Sequence, residues 1–383
     1  GLLLGELWLA GEALPKARAT APQAYTSIRP AMAHLMASEP GPGRPEERFL
    51  SLSDTTFDPG DLSLIELIYG PRLSDAQLYE YIVATKQKEI LSPNLPLAFQ
   101  IPAVDGYDGG VLPLSQYVTL QGAFLSPEEV SIDGRLRETL RGIPEGRWLS
   151  YLNVRYIITD KLRDVWVDDI FYDLQFGARL TDDEAVSVAE VPGFEATGLG
   201  IVSSVEGYNG DLTGMPVGRV DMGFADGAVR RWELLGGEDV SHGEDGDGSP
   251  QATRVHWQDP ATPMTITVSA ASPGVMWRVR GLSLIDDRTG SFHSLIVSDQ
   301  GRFRLAHSGD VKIYENLDVL PRAFVVGRAR VVEDDAGAVA ALRAPTTDLA
   351  AEVILSGERP GCRPMGGPGE AGERASRVEI AEY

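Results

Sequence analysis

Cysteine and lysine are nearly absent from this chain. The single cysteine, Cys362, excludes an internal disulfide framework and any cysteine-based metal cluster, and it reads as an inert loop residue. Lysine occurs only five times, and 34 basic residues face 56 acidic ones, leaving a net charge of −22. A surface of that sign repels phosphate backbones, so no nucleic acid is expected as a partner. The five histidines, at 34, 242, 256, 293 and 307, never fall at HxH or HxxxH spacing. With neither a Gly-rich phosphate loop nor a serine elbow present, no metal, cofactor or catalytic residue is expected. The opening stretch GLLLGELWLAGEALPK is apolar for only a dozen residues and carries Glu6 and Glu12, short of the about 20 apolar residues of a membrane span. Residues 1–15 therefore read as an amphipathic helix on the folded domain, or as the outer end of a transmembrane helix begun upstream, with Trp8 at the headgroup level.

What is present supports two or three domains, since 383 residues at 43% apolar content exceed one ordinary core. Pro30 suits the first turn of a helix within Tyr25 to Ser38, and Ser74-Asp75 caps a helix running to Ile90. Glu47 to Asp54 alternates like a strand, residues 131–152 read as helix, turn, helix, and Leu152 to Asp160 is β-rich. Residues 16–192 are thus expected to form an α+β domain. From about residue 193 to 308 the texture changes to many short strand candidates separated by turns such as Asp226-Gly227, the pattern of a β-sandwich or jelly roll. Residues 309–383 read as a β-rich segment containing a Pro/Gly-rich loop. A strand starting at RVEIAEY would lack partners, which suggests a longer parent chain.

Several clusters invite a chemical reading. GEDGDGS places Asp245 and Asp247 as a calcium loop would, but Val255, His256 and Trp257 stand where its bidentate acid belongs, so a solvated hairpin tip is the better reading. In DVWVDDIFYD, Asp168 and Asp169 lie near Trp166 and Tyr172. Adjacent strand residues point to opposite faces, so these acids suit a polar aromatic surface better than a glycosidase pair. VDGYDGGVLPLSQY gathers Asp105, Tyr107, Asp108 and Tyr117 on a glycine-shaped loop, which either binds sugar hydroxyls or is a structural loop whose Asp caps and whose Tyr plugs the domain. Trp232, Trp257 and Trp277 are candidates for stacking on sugar rings and equally for a core.

Four stretches in one order, GYDGGVLPLSQY, LNVRYIITD, VKIYENLDVLPRAFVV and RVEIAEY, resemble the extracytoplasmic C-terminal region of bacterial YfhO-type membrane proteins. The Tyr-Glu-Asn at Tyr314 to Asn316 followed by Pro-Arg-Ala at Pro321 to Ala323 is the most specific of them. That family carries many transmembrane helices of the glycosyltransferase C class before a large exported region. The resemblance implies that the β-rich block is an inserted galactose-binding-like jelly roll and that residues 309–383 complete the first domain. It also implies that Gly1 to Leu14 is the exit of the last membrane helix, and that the catalytic loops lie outside this chain.

The resulting expectation is a non-catalytic, extracytoplasmic region of a membrane-embedded glycosyltransferase at the bacterial cell membrane, binding or scaffolding a cell-envelope glycan or glycolipid beside its own transmembrane region. Candidate ligand contacts are Asp105, Tyr107, Asp108, Tyr117, Trp232, Trp257, Tyr314, Asn316 and Arg322, the last able to pair with a carboxylate of the protein or of a ligand. Alternatives are a structural or protein-interaction domain, and a soluble glycoside hydrolase.

Overall fold

The computed structural model describes residues 19–37, 47–106, 113–182, 184–242, 252–357 and 376–377. Its first elements are Gln23–Thr26 (α1) and Pro30–Ala37 (α2), the latter starting on proline, whose missing N–H has no intrahelical partner in a first turn. The strand Arg48–Ser51 (β1) follows, then the helices Leu62–Tyr69 (α3) and Asp75–Glu89 (α4). Helix α4 begins where expected: the Ser74 hydroxyl accepts from the Gln77 amide while the Gln77 side chain returns to the Ser74 amide. Three short helices, Ser115–Gln121 (α5), Leu136–Thr139 (α6) and Gly146–Tyr151 (α7), lead to the strand Val154–Thr159 (β2). Strand β2 is apolar on both faces, as a covered central strand must be. Ile157 and Ile158 accordingly enter different cores, one under α5 to α7 and the other under α2 and the end of α4.

A hairpin, Asp164–Val167 (β3) with Ile170–Asp173 (β4), comes next. Asp168 and Asp169 are its two turn residues, with φ of 48° and 63°. They therefore form a type I′-like corner, which aspartate tolerates, and not two alternating strand positions.

The β-rich block consists of Ala178–Leu180 (β5), Ala185–Ser187 (β6), Ala196–Glu206 (β7), Pro216–Phe224 (β8), Val229–Leu235 (β9), Ser241–His242 (β10), Ala252–Ala261 (β11), Pro263–Ala270 (β12), Met276–Asp286 (β13) and Ser291–Leu295 (β14). Two long antiparallel strands, β7 and β13, form the middle of one sheet. Each is flanked on its outer side by two partners, β11 and β10 along β7, and β14 and β5 along β13. The other sheet runs β6-β12-β8-β9 and is antiparallel throughout, with β8 and β9 joined through Asp226-Gly227. Leu199, Ile201, Val220, Met222, Ile266, Val268 and Trp277 fill one core between the two sheets, giving a sandwich-like module. The hairpin β3–β4 covers the outer side of the first sheet, where Ile170, Tyr172 and Leu174 meet Val202 and Ile285.

Phe303–Ser308 (β15) had been expected within the β-rich block, but it pairs with Lys312–Asn316 (β16), and both join the first domain in the order β1-β2-β16-β15. The strands β5 and β6, conversely, precede residue 193 yet belong to the sandwich sheets. Beyond β16, Phe324–Val325 (β17) precedes Arg328–Val332 (β18), helix Asp335–Arg343 (α8) and Glu352–Ser356 (β19), a parallel β-α-β unit. Ser376–Arg377 (β20) pairs with β17. The helix within this segment was not foreseen; Asp334 caps it by accepting from the Gly337 amide at 2.8 Å. The mixed helix and strand content agrees with the α+β expectation.

Gly218 lies against the Trp277 indole, so closely that a Cβ there would stand 2.6 Å from ring carbons. Gly218→Ala is expected to lower stability by about 1–3 kcal/mol, an overpacking cost, read as a fall in denaturation midpoint. A second prediction concerns His34 on α2 and His307 on β15, whose rings lie 5.3 Å apart. Burial holds both below the ordinary histidine value of 6.5; charge on His307 further depresses His34, and Lys161 further depresses His307. A depressed histidine adds stability that is present above that value and lost as pH falls through the folded pKa. In denaturant melts across pH, His34→Gln should therefore flatten the acid-side loss of stability.

Candidate functional site

The Tyr-Glu-Asn stretch forms β16, and its polar groups are spent inside the fold. The Lys312 ammonium, with a side chain 1% exposed, bonds Asp164 and reaches Asp173 Oδ2 at 2.8 Å. Tyr314 donates its hydroxyl to the same Asp173 oxygen at 2.6 Å. Burial, with the Asp173 charge beside it, drives the Tyr314 pKa well above the usual phenol range. Burial also raises Asp164, against the opposing pull of Lys312. Glu315 receives Arg155 at 2.9 Å and Arg304 at 2.7 Å. The Asn316 amide donates to Ser150 Oγ and to the Val154 carbonyl, while its oxygen accepts from the Asp318 amide.

At the start of the same stretch, Asp310 accepts from Arg29 at 3.1 Å and from the Gly60 amide at 2.9 Å. Arg29 is also shared with Asp61 at 2.7 Å and the fully buried Glu89 at 3.1 Å. Burial raises the Glu89 pKa, partly offset by Arg29.

The other sequence-predicted contacts are scattered. Tyr117 donates to the Val104 carbonyl at 3.2 Å, and burial raises its pKa. Asp105 is half-buried near Arg137, its pKa raised by burial. Tyr107, Asp108, Asp245 and Asp247 lie outside the described residues. Trp257 is buried and donates its indole N–H to the Ala196 carbonyl at 2.8 Å; Trp232 is half-buried, its ring 5.7 Å from that of Trp257. Both pack with the sandwich core, as does Trp277. Arg322 is half-buried, and burial and the neighbouring Arg48 charge lower its pKa. Trp166, by contrast, is 64% exposed, edge-on to Phe171 and Phe292.

A cleft of about 720 Å³ opens at the seam between the two modules, bounded by residues 142–145, 162–163, 174–179 and 298–300 and by β13. Four arginines line it: Arg163, Arg179, Arg278 and Arg280. Arg179 and Arg278 are cross-strand partners on β5 and β13, a like-charge pairing that is unfavourable unless shared by an anion. Glu206 is that anion, 2.5 Å from Arg278 and 3.4 Å from Arg179. Arg280 sits where the β13–β7 register shifts, between Val279 and Gly281. Bulges of this kind re-aim a side chain out of the ladder. Burial and the charges of Arg278 and Arg163 lower its pKa, with Glu206 opposing them.

A different surface lies on the helical layer. Leu64, Leu67 and Ile68 recur at i, i+3 and i+4 on α3 and are 54%, 74% and 39% exposed. Tyr25, Ile28 and Tyr79, from the elements packed with α3, are exposed as well.

No family model, curated protein or solved structure matches the chain. Among the described residues no cluster of three or more His, Cys, Asp or Glu is placed to hold a metal, and no helix is long and apolar enough to cross a membrane.

Lys312→Met would leave two carboxylates buried without their cation, and about 3–5 kcal/mol of stability should be lost in denaturant titration. Tyr314→Phe removes one hydrogen bond to a charged group and should cost about 1.5–3 kcal/mol.

Proposed function

We propose that the chain is the extracytoplasmic region of a YfhO-type, membrane-embedded glycosyltransferase, and that it supports and docks while catalysis belongs to loops outside it. The exposed apolar face of α3 carries the membrane-facing part of this reading. Large apolar side chains grouped in water mark a surface that meets another apolar one. The same helical layer receives the chain next to its apolar N-terminal stretch, since the Thr20 hydroxyl donates to the Gln77 carbonyl of α4. A segment leaving a bilayer through residues 1–15 would enter the fold beside Leu64, Leu67 and Ile68.

Within this reading the sandwich is the galactose-binding-like jelly roll, with a cell-envelope glycan or glycolipid as its partner. Packing of Trp232, Trp257 and Trp277 with the core removes the expected stacking platforms and favours the scaffold role over sugar capture by these rings. Among the described tryptophans, Trp166 is the exposed one and is available for a glycan contact. The hydrolase reading gains no support from the half-buried Asp164 and the buried Asp173, which converge on Lys312 instead of an open cleft.

The decisive experiment expresses the complete reading frame in bacteria and tests protease access in spheroplasts. External cleavage of this region, with the product in the membrane fraction, is expected; a cytosolic product overturns the proposal. For the isolated chain, co-sedimentation with zwitterionic phosphatidylcholine vesicles is expected. Replacing Leu64, Leu67 and Ile68 together by serine should keep it in the supernatant at unchanged melting temperature. If the unsubstituted chain also stays there, α3 does not face lipid.

A further inference from the structure

We propose that the arginine cleft at the seam between the modules is a binding site for a phosphate monoester, carried by a small molecule such as a sugar phosphate or present as the free ion. Nothing in the membrane-facing reading is needed for this. Some cations in the cleft are already paired with an acid, and others are not.

In a chain of net charge −22, an arginine normally finds an acid nearby. Arg29, Arg155, Arg288, Arg302 and Arg304 each hold one or more carboxylates. Others are tied to carbonyl oxygens, as Arg147 is to Leu342 and Arg343 to Leu125. In the cleft, Glu206 serves Arg278 and Arg179 together. Among the described residues, neither Arg163 nor Arg280 has an ion pair or side-chain hydrogen bond of its own. The two nonetheless face the same cavity and repel each other.

The fold keeps this repulsion in place. Arg280 is held at the β13 register shift, Arg163 follows β2 just before the hairpin, and a Cβ added at Gly142 would stand 3.9 Å from an Arg163 terminal nitrogen. The acids on the cleft wall do not resolve it. Glu145 and Asp299 also line the cleft, but neither is ion-paired with Arg163 or Arg280, and Asp299 accepts from the Arg179 amide at 2.8 Å. Two guanidiniums with no ion pair of their own, beside a pair that shares Glu206, match a dianionic tetrahedral group whose oxygens accept from two planar forks. A carboxylate would neutralise only one of them. Location at a module junction is also where small-ligand clefts concentrate.

The test is calorimetric titration of the whole chain near neutral pH with inorganic phosphate, glucose 1-phosphate and glucuronate. Saturable binding of at least one phosphate ligand is expected, tighter than that of glucuronate, and weakening as salt rises. Preference for glucose 1-phosphate over the inorganic ion assigns the site to a sugar phosphate, and equal affinity assigns it to the ion; both outcomes support the proposal. Both arginines are exposed, so Arg163→Ala and Arg280→Ala should melt as the parent does while each weakens phosphate about tenfold. Arg328→Ala, outside the cleft, is the control. Absence of saturable phosphate binding, glucuronate binding as tightly as phosphate, or binding that survives the double Arg163→Ala, Arg280→Ala change would overturn it.

Discussion

The Lys312 ammonium is the interaction on which the relation between the two modules depends. It projects from β16 of the mixed sheet and holds Asp164 and Asp173, the opposed ends of the β3–β4 hairpin. That hairpin is also a lid on the sandwich, where Tyr172 sits so close to Gly200 that a Cβ would fall 2.0 Å from its hydroxyl. A buried ion pair contributes little net stability compared with apolar packing, because both charges must be desolvated. Its effect here is geometric: two carboxylates and one ammonium accept few arrangements, so the hairpin has one seat on the sheet below it. Tyr314 donates a further bond to Asp173 and limits those arrangements again.

The cleft adjoins that hairpin, whose Val165 is part of its lining. The chain crosses between modules before β5 and again after β14, and the arginines gather at these crossings, with the Gln300 carbonyl bonded to the Gly146 amide at 2.9 Å across the seam. Opposite charges also meet between the modules, as Lys312 does with Asp173 and Arg304 with Glu190, but in the cleft like charges are gathered.

The sequence disclosed elements whose cause is local. Strand-forming runs between turn signals revealed β7, β8 and β13, the Ser74-Asp75 cap revealed α4, and Pro30 marked the start of α2. Elements set by distant partners were hidden. Strands β5 and β6 are three residues long and exist only as additions to β13 and β12. Strand β15 adjoins the sandwich in sequence, but its ladder belongs to β16. Helix α3 lacks the usual polar outer face, and α8 is too rich in small residues to show a periodic stripe. The same holds for function. Tyr314 and Asn316 were conspicuous because the fold depends on them, whereas Arg163 and Arg280 come together through a register shift that no spacing rule predicts.

The divided flanks of β7 and β13 have an effect on how the molecule behaves in a crowd. An uninterrupted outer strand offers another chain a row of free amides and carbonyls, and invites it to add on. Here each flank of that sheet is divided between two strands, with the β11 ladder itself shifting register between His256 and Ala261, β6 at the rim of the other sheet is three residues long, and β9 opposite it carries Arg230, Arg231 and Glu233. Such ragged rims deny a neighbour the length it would need to zip on, so a module built almost wholly of strands is able to stay separate at high concentration.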